Sequence, residues 1–397
     1  MFSRRAFLKT SALLSLAPTV PVFLTQTARA ARPRRDGRVL VLVELNGGND
    51  GINTVVPFAD EGYAKHRKEL RLPAGQLIKI DERVGLHPAL RDAGRLLESG
   101  RLALVQGVGY PNPNRSHFES MSIWQTARLK PAQKDGGWVG GALDGGAAPT
   151  DGSPASASIG LAPPPRALRG ERTMPATLAH LEDLVLGGDL DPRRTIVSPP
   201  ASSDVKAFVH RTMLDAYATA DRLKEAARLQ DSGSPYPATG LSERLRLVAR
   251  LIKAGFGTRV FYTVQAGYDT HYSQLPQHAN LLAELGGALR AFLDDLKNAK
   301  LDERVVVLVF SEFGRRVAEN GSLGTDHGTA GPVLLAGSRV KPGLVGQTPS
   351  LLDLQDGDLK MGIDFRQVYA TVLEDWLGLP ARTTLGGDFP RLPLFPS

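Results

Sequence analysis

Residues 38–51 read Arg38-Val-Leu-Val-Leu-Val-Glu-Leu45 and then Asn46-Gly-Gly-Asn-Asp50-Gly51. The run is apolar at odd and even positions alike, so a strand built from it must be covered on both faces. Strands of that kind belong to parallel sheets sandwiched by helices. The glycine-rich turn then falls at the strand's carboxyl end, where open α/β sheets place their ligands. Outward from this stretch the pattern recurs. Segments 102–108, 258–265, 304–310 and 332–336 read as further buried strands. Helical periodicity predicts helices near 61–70, 86–99, 116–126, 203–230, 241–255, 276–298 and 365–377. The helix at 276–298 sets Leu281, Leu282, Leu285, Leu289, Phe292 and Leu296 on one face. Residues 131–175 are rich in Gly, Ala, Pro and Ser and read as long loops around one short strand, 158–161. The expectation is an α/β fold, a mainly parallel sheet sandwiched by helices. It forms a single domain over 31–397 with a loop- and helix-rich insertion at 131–255.

Composition narrows the function. The chain has 397 residues, 42% hydrophobic and 22% charged, which excludes wholesale disorder and a polytopic membrane protein. It has no cysteine, so disulfides, zinc thiolate sites, iron–sulfur clusters and cysteine nucleophiles are excluded. The formal net charge is +7, but the first thirty residues hold four basic residues and no acid, leaving +3 for the rest. So small a charge, with no basic run interleaved with aromatics, argues against a nucleic-acid partner.

Residues 3–9, Ser-Arg-Arg-Ala-Phe-Leu-Lys, match the twin-arginine export signal. The apolar stretch 11–24 is interrupted by Pro18 and Pro21 and falls short of the roughly 20 residues a membrane span needs. Ala28-Arg29-Ala30 supplies a small-x-small cleavage site, making Ala31 the new N-terminus. Residues 1–30 are therefore expected to be a signal peptide. Its partner is the twin-arginine translocation machinery, the destination is the periplasm or the exterior, and no permanent membrane span is left. The alternative is a short anchor that is never cut. The route carries folded proteins and suits one loaded with a metal before export.

Chemistry-bearing residues cluster at strand ends. Asp50, Asp269 with His271, and Glu312 each follow a buried strand, and Asp326-His327 precedes one. Ser116-His117 lies at a helix start a few residues past another strand. Oxygen and nitrogen ligands without sulfur suit Zn, Mn, Mg or Ca. Duller roles compete at each position. Asp50 serves as a ligand or caps the next helix. Glu312 serves as a ligand or pairs with Arg315 or Arg316. Ser116 is a nucleophile or an N-cap, and His117 orients substrate or packs. His278 is a ligand or a surface residue, while His66, His87, His180 and His210 read as structural. Asn49, Asn114, His117 and Arg315 are the candidates for substrate contacts. Nucleophile elbow, Walker loop, dinucleotide fingerprint and His-Glu-x-x-His motifs are absent. Ser203-Asp-Val-Lys206 stands without its companion motifs and reads as chance.

Five segments carry a family resemblance. They are Leu45-Asn-Gly-Gly-Asn-Asp-Gly-Ile-Asn-Thr-Val-Val-Pro57, Gln106-Gly-Val-Gly-Tyr-Pro-Asn-Pro-Asn-Arg-Ser-His-Phe118, Tyr268-Asp-Thr-His271, Phe310-Ser-Glu-Phe-Gly-Arg-Arg316 and Gly324-Thr-Asp-His-Gly-Thr-Ala-Gly-Pro332. Together the chain resembles the domain-of-unknown-function-1501 family, which is similar to the alkaline-phosphatase-like superfamily of phosphatases, sulfatases and phosphomutases. The resemblance implies two metal sites and a Ser or Thr nucleophile at a helix start. On that resemblance Asp50 matches the early Asp, and Asp269 and His271 the Asp/His loop. His327 resembles the final His. Ser116 is the implied nucleophile, with Asn114 and Ser120 as other registers. The chain departs where the superfamily has Asp-His, for it has Glu312-Phe313. Phe cannot ligate, and Asp326 stands as a candidate for the missing ligand. Two readings follow. One is an exported metal-dependent hydrolase of phosphate or sulfate esters, holding a divalent ion (Zn, Mn or Ca) through Asp50, Asp269, His271, Glu312, Asp326 and His327. The other is a catalytically degenerate binding or accessory protein on the same fold.

Overall fold

The computed structural model describes residues 37–146, 149, 153–178, 226, 229–233 and 235–396. The expected signal peptide, His180, His210, Ser203–Lys206 and nearly all of the helix expected at 203–230 lie outside them. Strand β1 (Val39–Asn46) is central. Its odd positions Val39, Val41, Val43 and Leu45 join one buried cluster, and Leu40 and Leu42 join the cluster on the opposite face. Side chains alternate across a strand, so two apolar faces require two covering layers. Each such side chain stabilises the fold by about 1.5–3 kcal/mol when it leaves water.

The sheet continues through β2 (Leu102–Gly109), β3 (Ser156–Ile159), β4 (Ala176–Leu178) and β5 (Val260–Ala266). It is completed by β6 (Val305–Phe310), β7 (Gly331–Ala336), β8 (Gly343–Val345) and β9 (Ile363–Asp364). The order is β8-β2-β7-β6-β1-β5-β3-β4, with β9 paired to β2. β1 runs parallel to β5 and β6, and the outer pairs are parallel too. β7 alone is reversed, antiparallel to both β2 and β6. The fold is α/β, with a large, mainly parallel mixed sheet flanked by helices.

The flanking helices are α1 (Glu61–His66), α2 (Arg91–Glu98), α3 (His117–Thr126), α4 (Trp138–Asp144), α5 (Gly240–Lys253), α6 (Gln274–Asn298) and α7 (Phe365–Thr371). Helices α2, α5 and α6 cover one face through Leu96, Leu245, Leu285 and Phe292. Helices α3, α4 and α7 cover the other. There Trp124 stacks on Phe310 with ring centres 5.4 Å apart, and Trp138 on Tyr369 at 4.0 Å. No described helix is long and apolar enough to cross a membrane.

Several expectations shift. The helix expected from 86 begins at Arg91, because residues 85–86 pair as a strand and Pro88 disfavours helix before it. Residues 131–175 contain α4 as well as β3. The glycines that read as loop let α4 approach its neighbours: a Cβ on Gly140 would lie 2.2 Å from the Arg169 carbonyl carbon. The last helix changes to a π-turn over Val372–Trp376.

The reversal of β7 matters for function. Loops that follow the parallel strands and the loop that precedes β7 reach the same edge of the sheet. Segments 46–50, 110–117, 267–273, 311–316 and 325–330 meet there.

Candidate metal centre

The centre forms around Asp269. His271 Nε2 lies 2.9 Å from Asp269 Oδ1, and His327 Nε2 lies 3.0 Å from the same oxygen. The two Nε2 atoms are 2.9 Å apart. His117 Nε2 is 3.6 Å from Asp269 Oδ1. His117, Asp269 and His327 each offer a ligand atom within 4.8 Å of the others.

The far side of each ring explains the orientation. His117 Nδ1 is 2.8 Å from Glu312 Oε1, His327 Nδ1 is 2.7 Å from the Arg115 carbonyl, and His271 Nδ1 is 3.2 Å from Asp326 Oδ1. All three partners accept, so each Nδ1 carries the proton and donates it. In the neutral rings every Nε2 is then a lone pair. Lone pairs and a carboxylate oxygen therefore converge; Arg315 donates to Asp269 Oδ1 at 2.5 Å and reaches His271 Nε2 at 3.3 Å, so the nitrogens left open to an ion are those of His117 and His327. A tetrahedral ion with bonds of about 2.0–2.1 Å sets its ligands roughly 3.3 Å apart, close to the 3.6 and 3.0 Å that separate Asp269 Oδ1 from His117 and His327. Imidazoles held by an oxygen acceptor on the second nitrogen are the usual supporting arrangement of metal sites. The donor set of His117, Asp269 and His327 fits Zn or a similar divalent ion, with His271 beside it and Arg315 on its Nε2.

Burial acts to raise the Asp269 pKa. The Arg315 hydrogen bond and charge, with the contact to His327, outweigh it and hold the carboxyl at about 2. The hydrogen bond to Glu312 raises the His117 pKa against the effect of burial. Glu312 is itself fully enclosed, accepting from Gly47 N at 2.9 Å, with Ser311 Oγ 2.9 Å from its second oxygen. It acts on the centre through His117 and makes no ion pair with Arg315 or Arg316.

The structure does not bring every candidate to the centre. Asp50 has no exposed surface. Arg67 grips it with Nη1 at 2.6 Å and Nη2 at 3.0 Å, and Gln274 Nε2 adds a bond at 2.5 Å. Its carboxylate pairs with Arg67 and does not cap the helical turn at Gly51–Thr54. Burial would raise its pKa, but the Arg67 charge and hydrogen bond hold it at about 2. Asn49 is also enclosed, its Oδ1 2.9 Å from His278 Nε2 and accepting from Thr54 Oγ1 at 3.1 Å. His278 is buried rather than on the surface, with its ring 5.8 Å from that of His87.

Arg315 is buried behind the centre. Its guanidinium donates to Asp269 Oδ1 at 2.5 Å, to the carbonyls of Gly48 at 2.7 Å, Thr325 at 2.8 Å and Tyr268 at 3.1 Å, and to that of Gly47. It braces three loops and has no face toward a substrate. Phe313 packs beside it, its ring 5.0 Å from His117 and 4.8 Å from His327.

Ser116 is exposed at the N-cap position of α3, yet its hydroxyl makes no capping bond. Exposed Asn114 accepts from Ser116 N at 2.8 Å. Ser120 is buried, donating to the Glu312 carbonyl and accepting from Tyr110 at 2.9 Å. Sequence reasoning missed Arg67, Gln274 and the Arg115 carbonyl. Arg67 sits in the run Lys65-His-Arg-Lys68, which reads as solvated charge. A backbone carbonyl has no sequence signature.

The chain is similar in structure to the lipoteichoic acid synthase LtaP from Listeria monocytogenes, at 8% identity and TM-score 0.36, covering 85% of this chain and 79% of that one. It is similar to Ps i-CgsB in complex with k-i-k-neocarrahexaose, at 11% identity and TM-score 0.43, covering 89% and 75%. A third is the C-terminal periplasmic domain of EcEptC from Escherichia coli in complex with Zn, at 10% identity and TM-score 0.39, covering 88% and 85%. No curated protein sequence matches. Residues 38–385 match the sequence profile described as protein of unknown function DUF1501, and the chain belongs to that family.

Proposed function

We propose that this is an exported, metal-dependent hydrolase of phosphate or sulfate esters. The observation that carries the reading is the convergence of imidazole nitrogens from three histidines on Asp269 Oδ1. His117, Asp269 and His327 would hold the ion, with His271 beside them. Bound there, a divalent ion neutralises charge on the ester oxygens and lowers the pKa of a nearby hydroxyl. Ser116 is the nucleophile, exposed and without a capping bond at the start of a ten-residue helix whose N-terminus favours anions. Its Oγ forms a bond to phosphorus or sulfur as the ester oxygen departs on the opposite side. The serine proton reaches the departing alkoxide through solvent. Water then cleaves the seryl ester and restores the hydroxyl. Glu312, Asp326 and the Arg115 carbonyl keep the rings in one tautomer. Arg315 fixes the loops.

Elemental mass spectrometry of the gently purified protein tests the metal. About one equivalent of Zn or Mn is expected, lost in His327→Ala. Ser116→Ala should keep the metal and lose ester turnover by at least about 100-fold. A folded protein that neither contains nor takes up metal overturns the reading.

One observation favours a second reading, a binding protein without turnover. Phe313 fills the space beside His117 and His327, and the Arg315 guanidinium already places a positive charge on Asp269. Full metal occupancy with no hydrolysis of any phosphate or sulfate ester would support that reading.

A further inference from the structure

Beside the centre lies a cavity of about 790 Å³, between the loop at 110–115 and the segment at 355–361. Arg115 links the two spaces. Its carbonyl accepts from His327 Nδ1 at 2.7 Å, and the residue itself lines the cavity. Thr329, two residues past His327, lines it as well. The volume is within the range of sites that enclose small ligands, about 300–1,000 Å³.

The lining specifies chemistry. Asn112, Asn114 and Gln355 bring carboxamides to the lining, Asp356 a carboxylate and Arg115 a guanidinium, with Asp358 buried against Arg115. These planar groups offer donors and acceptors side by side, matching neighbouring hydroxyls that also donate and accept. Asp356 and Asp358 are balanced by Arg115 and Arg316, so the wall has no excess positive charge to draw a second anionic group. Met361, 40% exposed, adds one apolar surface for the carbon face of a ring.

Asp358 gives the second observation. It is 1% exposed, and its Oδ2 pairs with Arg115. Its Oδ1 accepts no hydrogen bond from the described residues, the Arg316 Nε lying 3.6 Å away. Arg115 and Arg316 thus pair with the two oxygens of Asp358, and Asp358 holds the 43% exposed Arg115 guanidinium at the cavity wall, where its N–H groups donate to hydroxyls.

We propose that this cavity is the subsite for a neutral sugar, so that the ester cleaved at the centre is borne by a glycan. The inference deepens the hydrolase reading and rests on it for the reaction, but sugar binding is measurable without turnover.

The test applies wild type, Gln355→Trp and Met361→Arg to an array of neutral, unesterified glycans. Gln355 is exposed and Met361 partly so, and both variants should fold. The expected result is retention of at least one glycan by wild type, weakened at least about tenfold in both variants. Retention of none, or equal retention by all three proteins, overturns the subsite. Retention that survives His327→Ala while no ester is hydrolysed leaves the subsite standing and removes the hydrolase.

Discussion

Arg315 shows how far a single residue's role can lie from its sequence reading. An arginine two residues past a strand-end acid and an aromatic looks like a substrate contact. In the fold its N–H groups are engaged by carbonyls of three loops and by Asp269. Lysine keeps the charge but not the fork. Arg315→Lys should therefore lower stability by on the order of 3 kcal/mol, since several buried carbonyls lose donors. Urea denaturation measures this, and a loss below about 1 kcal/mol would mean the fork does not hold the loops. Asp50 teaches the same lesson. A carboxylate after a glycine turn reads as a ligand or a cap, and its partner Arg67, 17 residues on, gives no local sign. Asp269, His271 and His327 were legible as a group because each sits at a strand end. The Arg115 carbonyl that orients His327 was not, because a carbonyl is the same in every residue.

At the scale of elements, β1 was legible because both its faces are apolar, while α4 was not because its glycines serve close packing. The turn after β1 joins both cases. Gly47 has φ +120°, and a Cβ there would lie 2.4 Å from Asp269 N. Any other residue is strained and pushes on the loop that holds the central carboxylate. Gly47→Ala should cut metal uptake at least about tenfold while leaving far-ultraviolet circular dichroism unchanged. Uptake equal to wild type would show that the turn tolerates the displacement. The orientation of β7 was the main topological feature that the sequence withheld. An apolar strand reads the same in either direction, and only its pairing with β2 and β6 reveals the reversal.

For the whole molecule, buried ionisable groups set the acid limit. Burial holds His87 and His278 near pKa 4, below the ordinary 6.5. Their contribution is fully present above pH 6.5 and is lost as pH falls toward 4, because the unfolded chain takes up protons first. Each is worth about 3 kcal/mol at most. Asp50 follows: its contribution is complete above its ordinary value of 3.8 and disappears toward 2. The urea midpoint should fall between about pH 6.5 and 4 in wild type and fall less steeply in His278→Gln. Parallel curves would remove His278 from the account.

The position of β1 has one more consequence. The first strand of the described chain lies between β5 and β6, which begin at Val260 and Val305. A ribosome must therefore make more than half of the polypeptide before that strand can find either neighbour. Until then its apolar faces have no lasting cover, and folding cannot proceed piece by piece from the amino end. Such a chain depends on being shielded during synthesis, and it completes its structure in one late, cooperative event.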